Sequence, residues 1–196
     1  MHTFCKPADV NILDPEFNVR AVSLAFTPKK LRKHDFQQLL VDTGAVSFDQ
    51  LKQDLQNQDL TRIYVAIGKV SETLTQRIAD GDLRLRPINQ FSRLDGISGK
   101  VRTLSRESAE QQIYEYIAVG ALMPLFNAKI LPCQHGSLPG RGPNTGVHDI
   151  EKYIRRHSER LCCLKMDVRH AYESTTVETC MRLLRRDIGK NKKLLS

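Results

Sequence analysis

The 196-residue sequence contains no tryptophan, and aromatic residues make up only 6% of it. Its longest apolar run, YIAVGALMPLF, is too short to cross a bilayer and contains a proline. No basic start precedes an apolar segment with a small-residue cleavage site, so we expect no secretory signal. The five cysteines are odd in number and two are adjacent, which argues against a disulfide framework. These absences predict a protein of the reducing cytoplasm that has no membrane partner.

The charge of the chain is positive and unevenly distributed. Hydrophobic residues make up 40% and charged residues 27%, which is typical of a globular protein, and the formal net charge is +8. Residues 151–196 hold 12 Lys and Arg against 6 Asp and Glu. A basic excess of this kind indicates a polyanion partner such as nucleic acid. The alternative is an ordinary solvated surface of lysine and arginine.

Residues 1–80 carry the start and stop signals of short helices. Ser47 with Gln50 forms a capping box. Ser71 is expected to open another helix, which Gly81 ends. We expect a helical N-terminal extension, which either packs on the remainder of the chain or binds RNA.

The hydrophobic period changes at residue 83. The alternation of LRLRPI and KVRTL, with LDGISG between them, predicts a β-hairpin over residues 83–104. Lys100 and Arg102 are two residues apart, so both are expected on one strand face, where two cations can hold phosphates. A solvated strand face is the alternative.

Two further helices flank a loop rich in glycine and proline, QHGSLPGRGPNTGV. The first is expected over residues 106–126, ending at Pro124. Thr145 is expected to cap the second, which ends in Arg155 and Arg156, where cations suit the helix dipole or contact a backbone phosphate. The apolar faces are predicted to consist of Ile113, Ile117 and Ala121 in the first helix, and Val147, Ile150 and Ile154 in the second.

The stretch LCCLKMDV, residues 161–168, is predicted to be a central strand covered on both faces, with Asp167 at its carboxyl end. A helix is expected after it, with Thr175 and Glu178 as its capping box and an apolar face that re-enters the core. Mg²⁺ prefers one or two carboxylates plus substrate phosphates, so Asp167 is compatible with half of a metal site.

Three segments resemble bacterial, group II intron-like reverse transcriptases. MDVRHAYES is similar to the first palm motif, in which an Asp binds catalytic metal and an aromatic residue five positions later selects deoxyribonucleotides. The resemblance implies that Asp167 is a catalytic metal ligand, that Val168 lends its carbonyl, and that Tyr172 is the steric gate for the dNTP. GKVRTL resembles the fingers hairpin, which implies that Lys100 and Arg102 contact the incoming nucleotide's phosphates.

The glycine- and proline-rich loop resembles the family's Gln-x-Gly-Phe-Arg-Pro-Gly-Arg segment, which implies that Arg141 contacts nucleic acid. Ser137 and Leu138 depart from the usual Phe-Arg, and Gln111 and Gln112 stand where an Asp-Arg pair is common. The matching positions of the loop are Gln134, Gly136, Pro139, Gly140 and Arg141.

The family's Tyr-x-Asp-Asp motif is missing, since no Asp-Asp pair occurs in the sequence. We therefore expect the N-terminal part of an RNA-directed DNA polymerase, an α+β right-hand fragment that is inactive alone. Its segments would be a helical extension (1–80), fingers (81–160) and the start of a palm (161–196). RNA template and primer, dNTP, Mg²⁺ and a separate palm and thumb part would complete it.

Two alternatives remain from the residues themselves. A non-enzymatic RNA-binding protein could keep the fingers and basic helices without the activity. A zinc site could draw on Cys133, His135, Cys162 and Cys163, although the Cys133-x-His135 spacing is too close for a usual ligand pair.

Overall fold

A computed structural model of the protein describes residues 11–97, 99–136, 138, 140–157, 159, 161–169 and 171–188. These residues form eight helices and two antiparallel strands, which confirms the α+β class at the level of helices beside a small sheet. The elements are α1 (Pro15–Ala25), α2 (His34–Asp42), α3 (Phe48–Asn57), α4 (Thr61–Asp80), β1 (Asn89–Leu94), β2 (Val101–Arg106), α5 (Ala109–Lys129), α6 (Pro143–Arg156), α7 (Ala171–Ser174) and α8 (Val177–Ile188).

The described residues belong to two compact units, an N-terminal unit of residues 11–123 and a C-terminal unit of residues 124–188. The division falls inside α5, at Pro124. Each unit is described by itself below. In the described ranges, no helix combines the length and the hydropathy that a bilayer crossing needs.

The N-terminal unit begins with four helices, which agrees with the helical character predicted for residues 1–80. Ser47 and Gln50 form the expected capping box of α3, and Gly81 ends α4 in the left-handed conformation at φ 70°. The prediction that Ser71 opens a helix is wrong, because α4 already begins at Thr61 and Ser71 is buried within it. Apolar residues at Ile63 and beyond continue the helical period upstream of Ser71, so its hydroxyl does not act as a cap.

The core of this unit is formed by α1 to α4 and the first half of α5. Asn18 of α1 is fully buried, and its side-chain amide donates to the carbonyl of Ile12 at 2.6 Å and to the Thr75 hydroxyl at 2.9 Å. These bonds satisfy the amide nitrogen, which would be costly to bury alone, and they tie α1 to α4, whereas the Asn18 Oδ1 atom has no hydrogen-bond partner among the described residues. Phe36 is also fully buried and meets Phe26 edge to face, with ring centroids 5.4 Å apart.

Helix α5 follows the predicted apolar face but not the predicted end. Ile113, Ile117 and Ala121 are buried as expected. The prediction that Pro124 closes the helix is wrong, since α5 continues to Lys129 with the proline inside it. A proline removes one backbone donor from the ladder, and the surrounding turns of a long apolar helix can retain the remaining bonds.

The hairpin is present but shifted relative to the prediction. The strands begin at Asn89 and end at Arg106, and all twelve strand residues are exposed. Residues 83–88 are not a strand, because Arg84 adopts a left-handed backbone with φ 45°, which interrupts an extended chain. Pro87 also lacks the backbone donor that a paired strand would use.

In the C-terminal unit, α6 begins two residues before the predicted cap. Gly142 is the N-cap and Pro143 the first helical residue, a position for which proline is pre-organised. Thr145 instead accepts a hydrogen bond from the Gly142 amide at 2.8 Å. The predicted apolar face is exposed, with Val147, Ile150 and Ile154 more than half accessible.

The predicted central strand at residues 161–168 is wrong. These residues have no regular secondary structure and none of the described backbone hydrogen bonds, and Leu164 and Met166 are 78% and 81% exposed. A strand needs a neighbour to satisfy its backbone groups, and the described strands β1 and β2 pair with each other in a two-stranded sheet. The expected cover on both faces is therefore absent among the described residues.

The capping box predicted at Thr175 and Glu178 is also wrong. Thr176 caps α8, since its hydroxyl accepts from the Thr179 amide at 3.2 Å, whereas Thr175 donates to the Ala171 carbonyl. The helix returns to a buried environment at Ile188, which is 4% exposed, while Val177 stays 80% exposed.

Removal of the Phe36 ring is expected to destabilise the protein strongly. Phe36→Ala deletes a fully buried aromatic side chain and its edge contact with Phe26, and the expected loss is about 3–5 kcal/mol of unfolding free energy. Phe48→Ala is the control, because Phe48 is 37% exposed and its loss should cost clearly less. Urea denaturation followed by circular dichroism gives both values, and equal losses would contradict this account of the core.

The Glu115 carboxyl is expected to make stability depend on pH. Burial, together with the neighbouring Glu107, raises the pKa of Glu115, against a smaller opposing effect of Lys30. A raised pKa means that the folded state holds the proton more tightly. The stabilising contribution is then present below the ordinary pKa and is lost as pH rises through the raised value. Because the carboxyl is largely exposed, solvent screening limits the effect to about a few tenths of a kcal/mol.

Glu115→Gln should therefore raise the unfolding free energy at pH 7 relative to wild type and lose this advantage near pH 4. Glu72→Gln, on the exposed side of α4, is the matched control. Thermal melts of all three proteins at the two pH values measure the difference. An advantage of Glu115→Gln that is the same at both pH values would count against the assignment.

Candidate functional site

The turn of the hairpin is organised by Asp95. The Asp95 amide donates to the Lys100 carbonyl at 2.8 Å, and the Asp95 carboxylate accepts from the Ile97 amide at 3.2 Å. Gly99 donates to the Asp95 carbonyl at 2.8 Å and has φ 66°, a conformation that favours glycine. Asp95 thus sets the close approach of the two strand ends, and Lys100 lies in the connection immediately before β2.

Two arginines face each other across the strands of the hairpin. Arg93 of β1 is paired in register with Arg102 of β2, so the two side chains lie on one face. The Arg102 guanidinium contacts the Asp95 carboxylate at 3.0 Å, and the Arg102 side chain stays 63% exposed. Like charges directly opposite each other are unfavourable, and one carboxylate neutralises only one of them. The hairpin therefore presents an exposed cationic face that favours an anionic ligand.

An apolar pair continues the same face. Phe91 lies opposite Leu104 in the register, and their side chains are 44% and 36% exposed. A cavity of about 410 Å³ opens beside the arginines. Its lining consists of Arg93, Leu94, Asp95, Gly96, Arg102 and Leu104. An exposed ring beside two guanidinium groups is an arrangement that suits a base together with its phosphates.

The base of the hairpin is anchored to the helices of the N-terminal unit. Arg106 at the end of β2 contacts Asp35 in the first turn of α2 at 2.9 Å. Gln111, which departs from the family pattern, has a structural role here. Its side-chain oxygen accepts from the Ser108 amide at 3.1 Å, and its nitrogen donates to the Arg86 carbonyl at 3.0 Å. The glutamine thereby caps α5 and holds the segment that leads into β1.

Arg141 stabilises the loop in which it lies. Its Nη1 donates to the carbonyls of Leu131 at 3.0 Å, Gln134 at 3.1 Å and Pro132 at 3.4 Å. The Gln134 side chain in turn accepts from the Leu131 amide at 2.6 Å. One guanidinium nitrogen is therefore committed to the loop, and contact of Arg141 with nucleic acid stays a prediction. Gly136 and Gly140 belong to this loop, with Gly140 at φ 70°, whereas Pro139 and Ser137 lie outside the described residues.

His135 connects this loop to the start of α6. Its Nε2 lies 3.3 Å from the Asp149 carboxylate, and its Nδ1 lies 3.3 Å from the Thr145 hydroxyl. Gly146 permits this approach, because a Cβ there would stand 3.3 Å from the imidazole ring. Within the described ranges no group of three or more His, Cys, Asp or Glu side chains could hold a metal ion. The zinc alternative gains no support, and Cys133, Cys162 and Cys163 are free and exposed.

The predicted basic residues of α6 are accessible. Arg155 and Arg156 occupy its last turn and are exposed, and neither has a carboxylate partner among the described side chains. Tyr153 stacks on His157 in the same turn, with centroids 4.0 Å apart. This end of α6 therefore presents two cations and an aromatic pair to the solvent.

Asp167 and Val168 are exposed on the irregular segment of residues 161–168. No companion carboxylate forms a metal-binding group with Asp167 in the described part of the chain. Tyr172 lies in α7, and its side chain is outside what the structure describes. Asp167 alone does not amount to a Mg²⁺ site, which needs further oxygen ligands from protein or substrate. Lys100 and Arg102 belong to the N-terminal unit, whereas Asp167, Val168 and the remaining predicted site residues belong to the C-terminal unit.

Sequence reasoning missed Arg93. Its position opposite Arg102 depends on the register, which is set by the length of the connection from Asp95 to Lys100. The signal available in the sequence was the short spacing between Arg93 and the glycine-containing turn, which places Arg93 near the end of the first strand and close to the start of the second.

Comparisons of the chain with protein-family models, with curated proteins and with solved structures found no match. The likeness to reverse transcriptases therefore depends on the three motifs and on the chemistry of the residues that carry them.

Proposed function

We propose that this chain supplies the nucleotide-binding fingers and the first metal-binding carboxylate of an RNA-directed DNA polymerase. The observation that carries the proposal is the exposed pair Arg93 and Arg102, which face each other on a hairpin whose second strand follows Lys100. Support also comes from the order of the three motifs along the chain and from the basic excess toward its end.

The hairpin binds phosphates through its guanidinium groups. Arg102 is held near Arg93 by Asp95 before any ligand arrives. A triphosphate carries more negative charge than one carboxylate and can accept forked hydrogen bonds from both arginines. Binding would relieve the repulsion within the pair, while the exposed ring of Phe91 would stack on the base. These residues bind and orient the nucleotide and do not themselves break a bond.

Catalysis requires more than the described residues provide. Mg²⁺, when bound, would activate the attacking hydroxyl and neutralise the charge on the phosphates. Asp167 is the candidate ligand, with the Val168 carbonyl beside it, and this pair does not make a complete site. We therefore propose that the chain alone does not polymerise, that a separate palm and thumb part completes it, and that the Tyr-x-Asp-Asp carboxylates of that part supply the remaining ligands.

The second candidate is a non-enzymatic RNA-binding protein. The exposed Arg155 and Arg156 at the end of α6 favour it, since they suit backbone phosphates whether or not chemistry follows. This candidate does not require the hairpin to recognise a nucleoside triphosphate.

The hairpin is expected to bind dTTP through both arginines. The lack of native tryptophan allows a specific probe, because Phe91→Trp places the sole indole on the cationic face. In this background Arg93→Gln and Arg102→Gln should each weaken dTTP binding about tenfold, which corresponds to about 1.4 kcal/mol. Fluorescence titration with excitation at the indole band measures the affinity.

Arg20→Gln is the matched control, since Arg20 is an exposed arginine on α1 that pairs with Glu16. It should leave the titration unchanged. If dTTP does not alter the indole signal, or if thymidine binds as well as dTTP, the hairpin is not a triphosphate site and the RNA-binding candidate is preferred.

The chain alone is expected to bind RNA without extending a primer. Incubation with a primed RNA template, dNTPs and Mg²⁺ should give no longer product, because a single candidate carboxylate cannot hold two catalytic ions. RNA binding measured in parallel should fall in Arg155→Gln/Arg156→Gln and stay unchanged in Asp167→Asn. Template-directed extension by the chain alone would contradict the proposal.

A further inference from the structure

A second cavity lies within the N-terminal unit, apart from the hairpin face. Its volume is about 470 Å³, which is within the range of pockets that take small molecules. It is bounded by the end of α2, the second half of α4, the start of α5 and the segment of residues 82–86. Its lining consists of Leu39, Asp42, Thr43, Val70, Thr73, Leu74, Arg77, Arg84, Arg86 and Glu110.

The segment that brings two arginines to this cavity is held in an unusual conformation. Arg84 has φ 45°, in the left-handed region that residues other than glycine rarely adopt. The Asp82 carboxylate accepts from Arg84 Nε at 2.8 Å, and the Arg86 carbonyl accepts from Gln111 at 3.0 Å. Contacts on both sides therefore maintain the strained residue. Such strain is retained mainly where a site needs it.

One guanidinium of the cavity, that of Arg86, has no ion-pair partner in the described part of the chain, although the Asp42 carboxylate also lines the cavity. Arg77 is paired with Glu110 at 2.5 Å, and Tyr114 also donates to that carboxylate. Arg84 is paired with Asp82. Arg86 has no carboxylate within ion-pairing distance among the described residues. The cavity thus has a cation available for an anionic group of a ligand, with Arg84 beside it in sequence.

The remaining polar groups of the cavity are acceptors. The Thr43 and Thr73 hydroxyls already donate to the Leu40 carbonyl at 2.8 Å and to the Lys69 carbonyl at 2.9 Å, so their oxygens can only accept from a ligand. The Asp42 carboxylate is likewise an acceptor. A ligand that suits this lining carries an anionic group at one end and hydroxyl groups at the other.

We propose that this cavity binds a phosphate monoester that bears hydroxyl groups, either a free sugar phosphate or nucleotide or the terminal phosphate of an RNA strand. The phosphate is bound by Arg86 and Arg84, and the ligand hydroxyls donate to Thr43, Thr73 and Asp42. This site is independent of the hairpin and of the proposed polymerase function.

Calorimetric titration of the chain with AMP tests the proposal, and adenosine is the probe without a phosphate. AMP should bind and adenosine should not. Arg86→Gln should lower the AMP affinity at least tenfold, whereas Arg20→Gln should not change it. Arg93→Gln/Arg102→Gln should also retain AMP binding, which separates this cavity from the hairpin.

Arg84→Gly is a second variant, and its effect on AMP binding should not be confounded by a loss of stability. Glycine accepts the left-handed backbone, so the melting temperature should stay the same or rise while the AMP affinity falls. An unchanged AMP affinity in both Arg84→Gly and Arg86→Gln would overturn the proposal.

A short RNA with a 5′-phosphate, compared with the same RNA bearing a 5′-hydroxyl, distinguishes the two sources of the phosphate. Binding of the phosphorylated RNA that is lost in Arg86→Gln would identify a strand end as the ligand. Binding of AMP alone would identify a free small molecule. If neither AMP nor the phosphorylated RNA binds in an Arg86-dependent way, the cavity is not a phosphate site.

Discussion

The ion pair between Arg77 and Glu110 joins the end of α4 to the start of α5 across the whole hairpin excursion. Both side chains are mostly buried, and the hydrogen bond to Glu110 raises the pKa of Arg77. Burial and the same carboxylate raise the pKa of Tyr114, so this hydroxyl stays protonated and donates to Glu110. Loss of one partner would leave the other charge buried with little access to solvent. This costs more free energy than the loss of one partner from an exposed ion pair. The hairpin and the arginine-lined cavity are both positioned by this contact, since the segment between the two helices begins and ends there.

Because the two ends of the hairpin are fixed to the helices, the hairpin can stay folded although its strands are exposed. A two-stranded ribbon is marginal by itself, and every residue of β1 and β2 is exposed. The anchoring contact of Arg106 with Asp35 and the turn built on Asp95 compensate in part. The opposed arginines repel each other and destabilise the hairpin. An anionic ligand that binds both of them would offset this repulsion and stabilise the hairpin. The same feature that weakens the free hairpin is thus the one that gives it a function in the proposal.

Local signals in the sequence were reliable where a residue's neighbours in the chain decide its conformation. The capping box of Ser47 and Gln50 and the glycine end of α4 at Gly81 are of this kind, and so is the buried face of α5. Other local signals misplaced the start or end of a helix, as at Ser71, Pro124 and Thr175. The larger failures involve partners that are distant in sequence. Residues 161–168 have the composition of a buried strand, but a strand forms only where another strand accepts its hydrogen bonds. Arg84 lies in an alternating run, yet it has a left-handed backbone, between its own bond to Asp82 and the bond of the Arg86 carbonyl to Gln111 of α5.

The sequence by itself determined the α+β class at the level of helices beside a small sheet, the capping box of α3, the glycine end of α4, the turn around Asp95 and the motifs that resemble a polymerase. Those properties depend on steric preferences and hydrogen bonds within a few residues of chain. Only the tertiary structure decided that Arg93 faces Arg102, that Arg84 and Arg86 line a cavity, and that Arg141 is bound to the carbonyls of its own loop. The first depends on register, because a shift of one residue in a strand moves a side chain to the opposite face. The second depends on packing between separate elements, and the third on the path by which the loop folds back on itself.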